Sequence, residues 1–252
     1  MSIKSKVFAA AATLTLVGGV GSVAAVSAGA ATPSCGHNCI DIFSREFGTH
    51  HQPNYVLDVW RQGATVGQPI ILFRTSNSDP AEDFTTAFEG LTSEFNAAGL
   101  VSNAVALHYG CNPSIFSGGT CNVFPDDPAF ESEYAPYGVD SGLCVGVART
   151  AYHNEKVSLQ PCGVSSKTVW IVDTNDSPAT IRHDYVPLIN GSDTNFSHPY
   201  VLTYPKNAYP TDKPRAQLIT QNLTGFTGNF LVPVLGTVND NQLWGADFGV
   251  LR

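Results

Sequence analysis

Four carboxylates, Asp126, Asp127, Glu131 and Glu133, fall within the stretch DDPAFESE. Two carboxyl groups facing each other across a cleft can hydrolyse a glycosidic bond, one as acid and the other as base or nucleophile. That chemistry needs a set separation across a cleft, which spacing within one segment does not supply, so a secreted glycoside hydrolase is the weakest of three functional readings. A second group, CGHNC at 35–39 with His50 and His51, offers thiols and imidazoles, but its spacing matches no common zinc pattern. The chain has no G-x-S-x-G, H-E-x-x-H or G-x-x-x-x-G-K-[ST] motif. The expectation is a non-catalytic protein with no metal and no cofactor.

The elements that would position such groups read as strands. PIILF (69–73), TVWIV (168–172), YVPLI (185–189), YVLTY (200–204) and AQLIT (216–220) are rich in β-branched and aromatic residues, and polar turn clusters such as DTNDSPAT and NGSDTN bound them. Only 93–107 is ambiguous, with a short helix competing. Within this all-β pattern three units repeat: strand, polar turn, second strand, polar loop, closing aromatic. They span about 55–84, 142–170 and 200–244, and close at Phe84, Trp170 and Trp244. Three such units predict a barrel of approximate threefold symmetry. Each unit contributes one large aromatic to a shared core, and closure removes exposed strand edges.

GLCVGV with VSLQPC in the second unit and NQLW in the third resemble the ricin-type β-trefoil lectins, whose repeats close on a Q-x-W motif. The motif has decayed to Thr168-Val169-Trp170 in the second unit and Glu82-Asp83-Phe84 in the first. The resemblance implies a single β-trefoil domain over 32–252, with repeats at about 51–90, 138–175 and 198–252 and insertions at about 91–137 and 176–197. It also implies where a sugar would bind: an Asp in the opening strand, an aromatic in the next that stacks on the sugar ring, and an Asn before the Q-x-W. Asp58 and Phe73 fill the first two positions in the first unit, where the third is Ala81. The second unit has Gly146 and Gln160. The third has Thr203 and Ile219 but keeps Asn241 and Gln242. The carbohydrate-site expectation is therefore Asp58 and Phe73, with Asn241 and Gln242 as further candidates, while Phe84, Trp170 and Trp244 are core markers.

Residues 1–31 read as a signal peptide: Lys4 and Lys6, an apolar run, then small residues before Thr32. Without those two lysines, 11 basic side chains face 21 acidic ones, a balance of −10 from the 13 and 21 of the whole chain. That argues against nucleic acid or an anionic membrane as partner. A secreted, extracellular protein with six cysteines favours disulfides. Fifteen connectivities are open, and order along the chain suggests Cys35–Cys39, Cys111–Cys121 and Cys144–Cys162. The acidic, aromatic stretch within 112–140 is an alternative binding loop for a protein partner, with Tyr134 and Tyr137 as contact groups, in the manner of Kunitz-type trefoil inhibitors. The partner expected first is a carbohydrate or glycoconjugate.

Overall fold

Period-two alternation builds the first hairpin. In β2 (Tyr55–Val59) and β3 (Ile70–Arg74), Leu57, Val59, Ile70 and Leu72 enter the main core, so Val56, Asp58, Ile71 and Phe73 alternate onto the other face. The computed structural model describes residues 40–47, 55–76, 79–110, 126–173, 185–205, 216–224 and 238–247. Residues 1–39, the pairs Cys35–Cys39 and Cys111–Cys121, His50 and His51 lie outside them.

The chain is mostly β-sheet. Besides β2 and β3 the strands are β1 (Asp41–Ser44), β4 (Phe84–Leu91), β5 (Pro128–Tyr134), β6 (Leu143–Val147), β7 (Glu155–Pro161), β8 (Trp170–Val172), β9 (Leu188–Asn190), β10 (Tyr200–Thr203), β11 (Ile219–Asn222) and β12 (Trp244–Asp247). All pairings are antiparallel. Hairpins β2–β3, β6–β7 and β10–β11 alternate with the pairs β4–β5, β8–β9 and β12–β1. β5 also pairs β8, Ile40 N–H donates to the Phe84 carbonyl, and Val186 bridges Trp244.

The ambiguous stretch at 93–107 folds as two short helices, α1 (Thr92–Ala97) and α2 (Asn103–Tyr109), and the Ser102 hydroxyl caps α2 by accepting from Val105 N–H. Phe95, Val101, Val105 and Tyr109 form a second apolar cluster with Val169, Ile171, Ile189 and Val201. Residues 91–137, expected as an insertion, thus hold both helices and β5. Among the described residues no helix is long and apolar enough to cross a membrane.

Phe84, Trp170 and Trp244 each open a strand one residue after a one-turn 3-10 segment, at 80–82, 166–168 and 240–242, and all three are buried. Phe84 lies opposite Tyr134, Trp170 opposite Asn190 and Phe130, and Trp244 opposite Ser44 and Val186. The indole N–H of Trp170 donates to the Val145 carbonyl at 2.9 Å and that of Trp244 to the Leu202 carbonyl at 2.8 Å. Each Trp thereby fastens its strand to the hairpin of its own unit while filling the core.

Cys144 and Cys162 are bonded, with Cα atoms 5.0 Å apart and a sequence separation of 18. The bridge closes the base of the β6–β7 hairpin. Loop-closure entropy values such a link at about 3 kcal/mol. A Cys144→Ala/Cys162→Ala variant should therefore melt about 6–12 °C lower for a domain of this size, measured by circular dichroism.

Candidate functional site

Asp58 and Phe73 lie on one face of the β2–β3 hairpin. Asp58 is opposite Ile71 and Val56 is opposite Phe73, which makes Asp58 and Phe73 diagonal neighbours, a separation of about 7–8 Å in an antiparallel pair. Asp58 is 4% exposed and Phe73 is half-buried. The two residues named from sequence thus share one face of the hairpin, with Asp58 buried and Phe73 partly exposed.

The matching positions elsewhere are closed or changed. A Cβ on Gly146 would stand 2.7 Å from the Lys167 carbonyl oxygen and 3.1 Å from the Thr168 Cα, so the 166–168 turn packs directly on the bare backbone of β6. Only glycine permits that approach. In the third hairpin Val201 pairs Gln221 and Thr203 pairs Ile219. The position equivalent to Phe73 is therefore Gln221, two residues beyond the Ile219 expected from sequence, because register counts back from the strand end rather than along the loop.

Asn241 and Gln242 are buried. The Gln242 carbonyl oxygen accepts from Thr224 N–H and hydroxyl, each at 2.8 Å, and its amide donates to the Thr203 hydroxyl and the Asn222 carbonyl. The Asn241 amide donates to the Tyr204 carbonyl at 2.7 Å. These bonds make the NQ pair a clasp on the exit of β11. The backbone N–H two residues past each hairpin is caught in the same way. Glu82 accepts from Ser76 N–H, Glu131 from Gly163 N–H, and Gln242 from Thr224 N–H. One structural need is met by three different side chains, one of them from β5 rather than from the closing motif.

Three of the four carboxylates at 126–133, Asp126, Glu131 and Glu133, serve the same kind of purpose. Glu131 also accepts from the Thr168 hydroxyl, Glu133 from Gly142 N–H at 2.6 Å and Asp126 from Ser93 N–H. Burial pushes the Glu133 carboxyl up, with the charges of Asp140 and Glu131 adding and the bond from Gly142 opposing. Glu131 and Glu133 are thus backbone anchors on a strand, where the sequence left room for a hydrolytic pair. Tyr134, expected as a contact group, is fully buried at the end of β5 against Phe84, because strand alternation turns it inward. Tyr137 remains at the surface, 69% exposed. Its backbone is left-handed at φ 57°, and its N–H donates to a carboxylate oxygen of Asp83 at 2.9 Å.

Around Asp58 the structure adds two residues not singled out from sequence, Asp79 and Glu82. One carboxylate oxygen of each of the three lies within 4.8 Å of the others. Burial pushes the Glu82 carboxyl up to about 8; the charges of Asp58 and Asp79 add, against bonds from Ser76 N–H and the Thr75 hydroxyl. Asp79 caps the 80–82 turn by accepting from Ala81 N–H and also accepts from the Gln62 amide, both at 3.0 Å. The Tyr134 hydroxyl is held above the usual phenol range by burial first, then by the charges of Asp83, Asp58 and Asp79. The legible signal was the Glu at the Gln place of the first closing motif, an acid where the third unit has an amide.

No protein-family model and no curated protein matches the sequence. Among solved structures the chain is similar to ThreeFoil, a designed threefold symmetric protein, at 14% identity over 83% of this chain and 97% of that one, with a TM-score of 0.46. It is similar to the Rhizoctonia solani agglutinin at 14% identity over 88% and 98%, with a TM-score of 0.44. It is also similar to part of a mosquitocidal holotoxin at 10% identity, over 82% of this chain but 17% of that one, with a TM-score of 0.46.

Proposed function

We propose that this chain is an exported, non-catalytic β-trefoil that binds carbohydrate through its first repeat. The observation that carries the reading is the shared face of Asp58 and Phe73 on the β2–β3 hairpin. In this role Asp58 accepts hydrogen bonds from sugar hydroxyls, and Phe73 offers its ring to the apolar face of the pyranose. The trefoil assignment draws support from the order of the twelve described strands, which fall into three sets of four with the aromatic opening the last of each. The contacts linking β1, β4, β5, β8, β9 and β12 in a ring fit a closed six-stranded barrel with the three hairpins at one end. The Cys144–Cys162 bond supports export to an oxidising compartment.

A glycan array probed with the wild-type protein, Asp58→Ala and Phe73→Ala tests the assignment. Binding by the wild type that falls at least tenfold in either variant supports it. Wild-type binding to no glycan counts against it, as does binding that both variants retain. A protein-binding module is the second reading, favoured by the exposure of Tyr137 and Val139 at the end of the 112–140 stretch. Inhibition of a protease panel that is lost in Tyr137→Ala would move the function there.

A further inference from the structure

We infer that Trp60 is a second stacking platform beside the first-repeat sugar site, so that the ligand is an oligosaccharide rather than one sugar ring. The inference rests on the carbohydrate reading above and adds to it a residue and a ligand length.

Trp60 follows β2 directly and is half-buried, yet it belongs to none of the three apolar clusters among the described residues. Its ring neighbour is the guanidinium of Arg61, 5.5 Å from the ring centroid. A large aromatic kept at the surface and outside the core is a contact group, and Trp and Arg are the side chains that most often anchor a bound partner.

The backbone that presents this ring is strained and firmly held. Arg61 and Gln62 are left-handed, at φ 60° and 57°. Side chains other than glycine adopt that conformation where the surroundings impose it, and such residues concentrate at ligand sites. Here the surroundings do impose it. Trp60 N–H donates to the Pro69 carbonyl at 3.0 Å. Pro69 has no N–H to return the bond, and the Gln68 side-chain amide donates to the Trp60 carbonyl instead. The Gln62 amide donates to Asp79 at 3.0 Å, Gly67 N–H to the Leu159 carbonyl at 2.8 Å, and Leu159 N–H to the Gln68 carbonyl at 2.9 Å. A turn fixed from several sides before the ligand arrives spares the ordering cost of binding.

Register places the ring. Asp58 lies opposite Ile71, and the bond from Trp60 to Pro69 continues the same ladder, so Trp60 follows Asp58 on one face of the hairpin. At the rise of an antiparallel strand, Trp60 is about 7 Å beyond Asp58 and about 14 Å beyond the level of Val56 and Phe73. One pyranose held by Asp58 and Phe73 does not reach Trp60, whereas the next unit of a sugar chain running along β2 does. Counted from Gly146 and Thr203, the matching residues of the other hairpins are Ala148 and Pro205. The aromatic stands in the unit that also carries Asp58 and Phe73.

The test titrates the mono-, di- and trisaccharides of β-1,4-linked glucose, N-acetylglucosamine, galactose and mannose into the full-length protein by calorimetry. Acrylamide quenching of tryptophan fluorescence is followed in parallel. Trp170 and Trp244 are each 1% exposed, so of the chain's three tryptophans Trp60 is the one the quencher reaches. The expected result is a trisaccharide bound at least about tenfold tighter than its monosaccharide, with quenching reduced as it binds. Trp60→Ala should remove the gain from length and leave monosaccharide binding unchanged. Trp60→Phe keeps a ring and should keep most of the gain while losing the quenchable emission. Asp58→Ala should weaken binding at every length. Should Trp60→Ala fail to fold, quenching of the wild type decides the matter. A trisaccharide bound no tighter than its monosaccharide overturns the inference, as does a gain from length that Trp60→Ala retains, or quenching that the bound sugar leaves unchanged. In those cases binding that Asp58→Ala abolishes leaves the first-repeat reading standing. Binding to no member of any series overturns both.

Discussion

Trp170→Ala should lower stability by about 3–5 kcal/mol, the cost of emptying a large aromatic site in a close-packed core. Trp170 is buried at the start of β8, where it pairs with Asn190 of β9 and Phe130 of β5 and belongs to the main hydrophobic cluster. Chemical denaturation would read the change directly. Trp170→Phe separates the two parts of the ring's role. It retains most of the apolar volume but removes the N–H that reaches the Val145 carbonyl, so a loss of about 1–3 kcal/mol is expected, the usual cost of an orphaned buried acceptor. A result for Trp170→Phe equal to that for Trp170→Ala would show that the hydrogen bond to β6, and not the packing, holds the position.

Gly146→Asp, which copies Asp58 to the matching position of the β6–β7 hairpin, should be strongly damaging. On sequence logic it restores the missing carboxylate of the second unit. Sterically it sets a Cβ 2.7 Å from the Lys167 carbonyl oxygen and 2.8 Å from the Thr168 methyl, with the Thr168 backbone at 3.1 Å. Backbone cannot yield as a flexible side chain does, and forced overpacking of this kind costs on the order of 3 kcal/mol or more. The substitution also buries a new charge beside the Glu131 carboxylate that already accepts from Thr168. The expected outcome is a fall in Tm with no gain in glycan binding, while Gly146→Ala lowers stability less. Equal stability of wild type and Gly146→Asp would show that the turn at 166–168 can withdraw, and the second repeat would then be open to a ligand. The corresponding turns in the first and third units, 80–82 and 240–242, carry acid and amide side chains in place of this direct backbone contact.

Short runs rich in β-branched and aromatic residues announced β2, β3, β6, β7, β8, β9, β10 and β11, because each lies between turn formers. β1 and β5 were not visible in that way. β5 carries Glu131, Ser132, Glu133 and Tyr134, a polar series that reads as a loop until partners are known. Its carboxylates are buried because they hold the backbone N–H groups of Gly142 and Gly163, donors contributed by distant turns. Burial of a charge that is satisfied from far along the chain leaves no local signature. The same holds for α1 and α2, short helices whose apolar faces make sense only against Val169, Ile171 and Ile189.

The sequence by itself determined the strand-rich class, the three closing aromatics and the pairing of Asp58 with Phe73 as candidates, all of which follow from local spacing. What only the tertiary structure decided is which polar residues share a place. It made the NQ pair before Trp244 a clasp on Thr224 rather than a free contact. It packed the 166–168 turn on Gly146 of β6 and drew Asp79 and Glu82 to within 4.8 Å of Asp58. Those outcomes depend on how a 3-10 turn packs against the neighbouring hairpin. That contact joins residues twenty or more positions apart, as Asp58 to Glu82, and no periodicity in the chain encodes it.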